Sequence, residues 1–390
     1  MPGRPDNWPG ESGMGGWYTD AEHAAVAAVM TEMTGWTHAY RRTHQEAFEE
    51  AFTDYTGAAH AVAVNSGGVA LDLAMACLDA RSGDEVISCA INFPGSHLAV
   101  LGAGLRLVLA EPDPRTLNLD PAEVAAKMTR RTVAVLITHM NGLPADLGSI
   151  TAAATLRAAE LGIAIPRIVV DAARATGAAT PSGRVGGDGA WITMFSFHRK
   201  KLMTTLGEGG MLTTDCATTA HALRRLRSFG QGQVWGSSYR MTEAQAAVGV
   251  VQLHRLEEML TPRIALARAR TSQLADVDGI TLPVEPPGYR HIYYLYTVIG
   301  DPTWRPGTRD RIRHLLAEAR VGTVIANPPT YAANQLIAQR TAGQWPLPVA
   351  EDVAARLLCP ALHPLMGETE NTRTATALRA ALDQAVQEMA

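Results

Sequence analysis

MFSFHRKKLMTTLGEGG, residues 194–210, joins an apolar run, a hydroxyl, two adjacent lysines and a glycine cluster in one segment. It reads as the end of a strand over 190–197 that opens into a loop. The chain carries 34 basic residues, and three of them are lysines: Lys127, Lys200 and Lys201. Where positive charge alone is needed, this sequence uses arginine. A guanidinium stays charged and cannot form an imine, whereas a lysine amine can be desolvated, deprotonated and used as a nucleophile. The pair therefore reads either as kept for amine chemistry or as part of a solvated basic turn, His198 to Lys201. A GC-rich genome would also favour arginine, so the surrounding segments have to decide.

Working outward, short apolar runs at 61–64, 85–90, 105–109, 133–138 and 168–170 precede the segment. Helical stretches lie between several of them, at 69–78, after Asp120-Pro121 and over 149–161. Strands alternating with helices predict an α/β fold with a mostly parallel sheet covered on both faces. Upstream, Thr19-Asp-Ala-Glu22 and Thr43-His-Gln-Glu46 are capping boxes, each opening a helix, and Gly35 and Gly57 stand where those helices should stop. From Thr242 a helical pattern runs toward Val277, with a kink expected at Pro262. Beyond Gly279 the texture changes at Pro283, Pro286 and Pro287. The expected division is an N-terminal segment plus large domain over 1–260, then a kinked connecting helix and small C-terminal α/β domain over 261–390.

Composition excludes several classes. A chain of 390 residues with 47% hydrophobic residues has ample material for a large core. Its net charge of −4, without a basic stripe, predicts no nucleic-acid partner. Cys77, Cys89, Cys216 and Cys359 lie far apart and match no zinc or CxxC spacing, so no metal site is expected and reduced cytoplasmic thiols are. The Gly/Pro-rich start lacks the apolar core of a signal peptide, and no apolar run is long enough to span a membrane.

Four features fall at the C-terminal ends of predicted strands, the edge where parallel α/β sheets bind ligands. Asn65-Ser66-Gly67-Gly68 leads into a helix; glycines there let backbone N–H groups approach an anion such as phosphate, unless this is an ordinary tight turn. Phe93 follows a strand, where it could stack on a flat ring or pack into the core. Asp171 ends another, as a partner for a protonated ring nitrogen or as a helix N-cap. Ser196 and Lys201 flank the opening strand-to-loop transition, offering a hydroxyl for phosphate and an amine for an imine. Together these are the parts of a pyridoxal phosphate site.

With these motifs in place the chain resembles the DegT/DnrJ/EryC1/StrS family of fold-type I pyridoxal-phosphate aminotransferases. The resemblance runs through NSGGVALDLAM (65–75), GDEVISCAINF (83–93), DPRTLNLDP (113–121), THMNGLPADLG (138–148), VVDAARATGA (169–178), FSFHRKKLMTTLGEGG (195–210), YRMTEAQAAVGVVQL (239–253) and LPVAEDVAARLLCPALHP (347–364). It implies that Lys201, five residues after Ser196, is the imine-forming lysine, and that Lys200 is solvated or faces substrate. It implies that Asp171 pairs with the pyridine nitrogen, that Phe93 stacks on the ring, and that the Gly68 and Val69 amides hold the phosphate with Ser196. Three positions depart from the family pattern. Arg174 stands where a Gln or His near the cofactor's phenolic oxygen is usual. Ser238 stands where an Asn reaches the phosphate across a dimer interface. The segment 326–331, ANPPTY, lacks the histidine of sugar-nucleotide members.

The resemblance implies a homodimer in which Lys201 is catalytic and glutamate or glutamine donates an amino group to a keto-sugar or keto-cyclitol. Some motifs also look like members acting on unactivated six-membered carbocycles. Two rival readings stay open: a dehydratase or aromatising enzyme using the same site, and a cofactor-binding regulator without turnover.

Overall fold

The computed structural model describes Trp8 and residues 17–34, 43–326 and 328–389. In chain order its first strands are β1 (His60–Val64), β2 (Glu85–Cys89), β3 (Arg106–Ala110), β4 (Thr132–Thr138) and β5 (Arg167–Asp171). A small hairpin, β6 (Ala179–Thr180) and β7 (Gly183–Arg184), separates these from β8 (Ile192–Ser196) and β9 (Gly210–Thr214). Seven strands form one sheet in the order β1-β9-β8-β5-β4-β2-β3. All run parallel except β9, which is antiparallel to both β1 and β8. β2, β8 and β9 are buried along their whole length, as expected of a sheet covered on both faces.

β9 was not among the expected strands, because GEGG before it reads as loop. Its glycine has a packing reason. A Cβ on Gly210 would lie 2.5 Å from the Ser66 carbonyl oxygen, so only glycine lets this strand pass beside the 66–67 peptide.

The strand that carries Ser196 is held by aromatic rings. Phe48 and Phe52, from the helix His44–Thr56, are fully buried against β8 and the residue after it. Phe52 lies 4.9 Å from Phe195, edge-on, and Phe48 lies 5.4 Å from Phe197. Both expected capping boxes form, at Thr19 with Glu22 and at Thr43 with Glu46. Gly57 ends its helix in the left-handed region at φ 81°; Gly35 lies outside the described residues.

The helical pattern from Thr242 is divided, but at Arg255 rather than at Pro262. Glu243–His254 and Leu256–Gln273 are separate helices, and Pro262 lies inside the second. The N–H that proline lacks would have paired with the carbonyl of Glu258, a solvent-exposed residue, so water can replace the bond.

After Gly279 a second sheet forms from β10 (Ile280–Thr281), β11 (Val298–Gly300), β12 (Thr323–Val324) and β13 (Leu357–Pro360). Its order is β10-β11-β13-β12 and every pairing is antiparallel. The helices Thr308–Glu318 and Glu368–Met389 pack together beside it. Two seams tie this unit to the large sheet. Ile292 N–H donates to the Gly142 carbonyl, and Thr330 N–H donates to the Ala90 carbonyl. No helix among the described residues is long and apolar enough to cross a membrane.

Candidate active site

A cavity of about 530 Å³ opens at the C-terminal ends of β4, β5 and β8, roofed by residues of the second unit. Gly67, Gly68, Phe93, Asp171, Arg174, Ser196 and Lys201 all line it. Val69 and Ser238 do not.

The helix Gly67–Ala76 begins at the cavity floor. Its N-cap Ser66 accepts the Val69 N–H at 3.2 Å, which engages the Val69 amide in the cap. The N–H groups of Gly67 and Gly68 come first in the helix and have no intrahelical acceptor. A Cβ on Gly67 would lie 2.7 Å from Ser196 Cβ, so the helix start is pressed against the end of β8. Two leading amides and one hydroxyl thus converge on one spot, a cradle suited to a phosphate. Gly67→Ala should lower stability by about 1–3 kcal/mol through overpacking, read by thermal denaturation. Gly68→Ala, whose Cβ would meet nothing nearer than 3.8 Å, is the mild control.

Asp171 closes β5 and is 3% exposed. Its Oδ1 accepts from Ala173 N–H at 2.9 Å, and its Oδ2 accepts from Ser96 Oγ at 2.5 Å. No helix follows it, so the N-cap alternative does not hold; the carboxylate spans its own turn and reaches a neighbouring helix. Ser96 lies in the first turn of Pro94–Gly102. Asn92 braces this corner, its Oδ1 accepting from Phe93 N–H at 2.7 Å and from Thr138 Oγ1 at 2.9 Å. Phe93 is 62% exposed, which sets aside its reading as a core residue. Its ring folds over Gly95, where a Cβ would lie 2.8 Å from it.

The two lysines differ. A tight turn, with Lys201 N–H donating to the His198 carbonyl at 2.7 Å, sends them different ways. Arg199 and Lys200 are exposed, and Lys200 also lines the cavity. Lys201 is half-buried, with its Nζ 5.1 Å from the centroid of the Tyr294 ring. Arg174 lies over the same ring at 5.3 Å and donates from Nη1 to Asn141 Oδ1 at 2.9 Å. Val324, Ile325, Ala326 and Pro328 form an apolar wall opposite. That wall is pinned by His97, whose Nδ1 is 2.7 Å from Thr330 Oγ1; burial pushes its pKa down to about 3, so it stands neutral.

Sequence reasoning missed Ser96, Asn92, Thr138 and Tyr294. Ser96 is three residues past Phe93 in an otherwise small-residue helix start. Tyr294 belongs to an aromatic run, HIYYLY (291–296), which by itself reads as core. Only that run's aromatic density hinted at a site.

The model of the DegT/DnrJ/EryC1/StrS aminotransferase family matches residues 19–379. The chain belongs to this family. It is 36% identical over 318 residues to the erythromycin biosynthesis sensory transduction protein EryC1 of Saccharopolyspora erythraea, covering 80% of this chain and 83% of that one. It is 34% identical over 339 residues to the dTDP-3-amino-3,4,6-trideoxy-alpha-D-glucose transaminase of Streptomyces venezuelae, covering 86% of each. Among solved structures it is similar to S. venezuelae DesV, with a TM-score of 0.82 and 32% identity over 93% of this chain and 94% of that one. The chain is accordingly a pyridoxal-phosphate-dependent aminotransferase. The residues present fit that cofactor: a cradle at Gly67 with no room for a Cβ, a buried carboxylate, an exposed aromatic ring and a half-buried amine line one cavity.

Proposed function

We propose that this enzyme moves an amino group from glutamate or glutamine to the ketone of a sugar or cyclitol, in aminosugar or secondary-metabolite biosynthesis. The observation that carries the reading is the convergence of Lys201, Asp171, Ser196, Phe93 and the Gly67-Gly68 helix start on one cavity. The names of relatives support a sugar acceptor: besides the S. venezuelae transaminase, GDP-perosamine synthase of Caulobacter vibrioides is 38% identical over 259 residues, 64% of this chain and 67% of that one.

When bound, pyridoxal phosphate supplies a protonated ring that accepts the electrons released at the donor carbon. Gly67, Gly68 and Ser196 would hold its phosphate, and Phe93 would lie against its ring. Asp171 would hold the proton on the ring nitrogen, with Ser96 and Ala173 N–H fixing the carboxylate. Lys201 would anchor the cofactor, and its amine would move a proton between the donor carbon and the place where nitrogen is delivered. Arg174 would stand beside the phenolic oxygen. The apolar wall of Val324, Ile325, Ala326 and Pro328 excludes water from the acceptor side.

A homodimer belongs to the same reading. Ser238 is exposed and outside its own chain's cavity, although the next residue, Tyr239, accepts from Asn65 N–H at 2.9 Å. A side chain so placed suits a neighbouring copy's site. A cytoplasmic setting is supported by four cysteines that form no disulfide.

The test is the visible spectrum of the protein with pyridoxal phosphate, before and after each donor, with Lys201→Ala alongside. A lysine-linked band should form, bleach with the true donor, and be missing in the variant. An identical band in the variant would overturn the assignment of Lys201. Product analysis separates the rivals. Transamination gives an aminated product and 2-oxo acid in equal amounts, dehydration releases water instead, and a regulator binds cofactor without consuming donor.

A further inference from the structure

Tyr294 stands where two cations of the cavity meet. Lys201 Nζ is 5.1 Å and the Arg174 guanidinium carbon 5.3 Å from its ring centroid, both within reach of a cation–π attraction. The ring is placed with care. Its Oη donates to the Lys200 carbonyl at 3.3 Å. The fully buried Arg263 holds its backbone, donating from Nη2 to the Tyr294 carbonyl and from Nε to the Tyr293 carbonyl, each at 2.6 Å. From the other side Gly142, at φ 96°, approaches so closely that a Cβ would lie 2.7 Å from Tyr294 N. A buried guanidinium spent on backbone carbonyls and a left-handed glycine together fix one aromatic ring against one amine.

We propose that Tyr294 is a positioning residue that sets the proton balance of the Lys201 amine: its ring favours the ammonium, and Arg174, sharing the ring, opposes it. The inference rests on Lys201 as the proton-carrying amine of the site. The negative face of an aromatic ring attracts an ammonium, and a neighbouring cation disfavours one. These opposing influences set how readily the amine takes and returns a proton, on which general acid–base work depends. The other ionisable groups lining the cavity are Asp171, His198, Lys200 and Glu208, and these stay unchanged in the variants below.

The chain's three lysines make the test nearly residue-specific. The full-length, cofactor-free protein is labelled with trace acetic anhydride across a pH series, and peptide mass spectrometry follows Lys201, with Lys127 as internal reference. Tyr294→Phe should leave the Lys201 titration in place. Tyr294→Leu should lower its apparent pKa by about half a unit to one and a half units, and Arg174→Met should raise it. Lys127 should not move. A Lys201 titration unchanged by both Tyr294→Leu and Arg174→Met overturns the proposal, even if either variant melts at lower temperature. Should Tyr294→Leu not fold, Arg174→Met decides: an unmoved titration there also overturns it. The labelling reads the free amine of the cofactor-free protein and needs neither bound cofactor nor turnover. Failure here is therefore distinct from failure of the Lys201→Ala spectrum.

Discussion

Lys201→Arg should lower turnover by about 10⁴-fold or more, at or beyond the top of the range for one positioned acid–base group. The charge is kept, so any loss reports the amine itself: a guanidinium neither forms an imine nor gives up its proton near neutral pH. Lys200→Arg should leave turnover of the same order, because Lys200 is exposed and its contact with Tyr294 is made through its backbone carbonyl. The measurement is 2-oxo acid release from the donor under saturating cofactor. Near-normal turnover in Lys201→Arg would transfer the chemistry to another group, and equal losses in the two variants would mean the turn as a whole had moved.

Asp171→Asn should cost about a hundredfold to a thousandfold in turnover, the scale of removing one preorganised electrostatic partner. The side chain keeps its size: its oxygen can accept from Ala173 N–H, and the Ser96 hydroxyl can turn to accept from its amide. What is lost is the negative charge that would keep the ring nitrogen protonated. Ser96→Ala should cost less, roughly tenfold, since it removes one hydrogen bond to a charged group worth about 1.5–3 kcal/mol in a buried setting. Steady-state rates with cofactor occupancy measured in parallel check the order. If Ser96→Ala proves worse than Asp171→Asn, the carboxylate serves the local fold rather than the cofactor.

Much of the frame was legible because its signals are local. Thr43 and Glu46 form their box within one turn, and the apolar runs at 61–64 and 133–138 stand out against helical neighbours. The Ser196–Lys201 spacing could be read because both residues belong to a single strand-to-loop passage. β9 escaped because it opens on a glycine, Gly210, required by the 66–67 peptide, a partner more than a hundred residues away in the chain. The bend expected at Pro262 came out at Arg255, because local propensity does not say which carbonyls will meet water.

The sequence by itself determined the alternation of strands and helices, the family, and the four strand ends from which the site is built. The alternation and the strand ends depend on periodicity, capping and spacing, and the family on the resemblance of a series of ordered motifs, all properties of short segments. Only the tertiary structure decided that Ser96 rather than a residue beside Asp171 in sequence completes the carboxylate, and that Lys201 is half-buried against Tyr294 while Lys200, which also lines the cavity, stays exposed. It alone brought Arg174 and Lys201 to the ring of Tyr294. Each of these contacts joins residues far apart in sequence, or chooses between neighbours on one turn. Such choices are made by the packing of Arg263, Gly142 and the aromatic cluster around β8, where steric fit and buried hydrogen bonds act across elements that no local pattern connects.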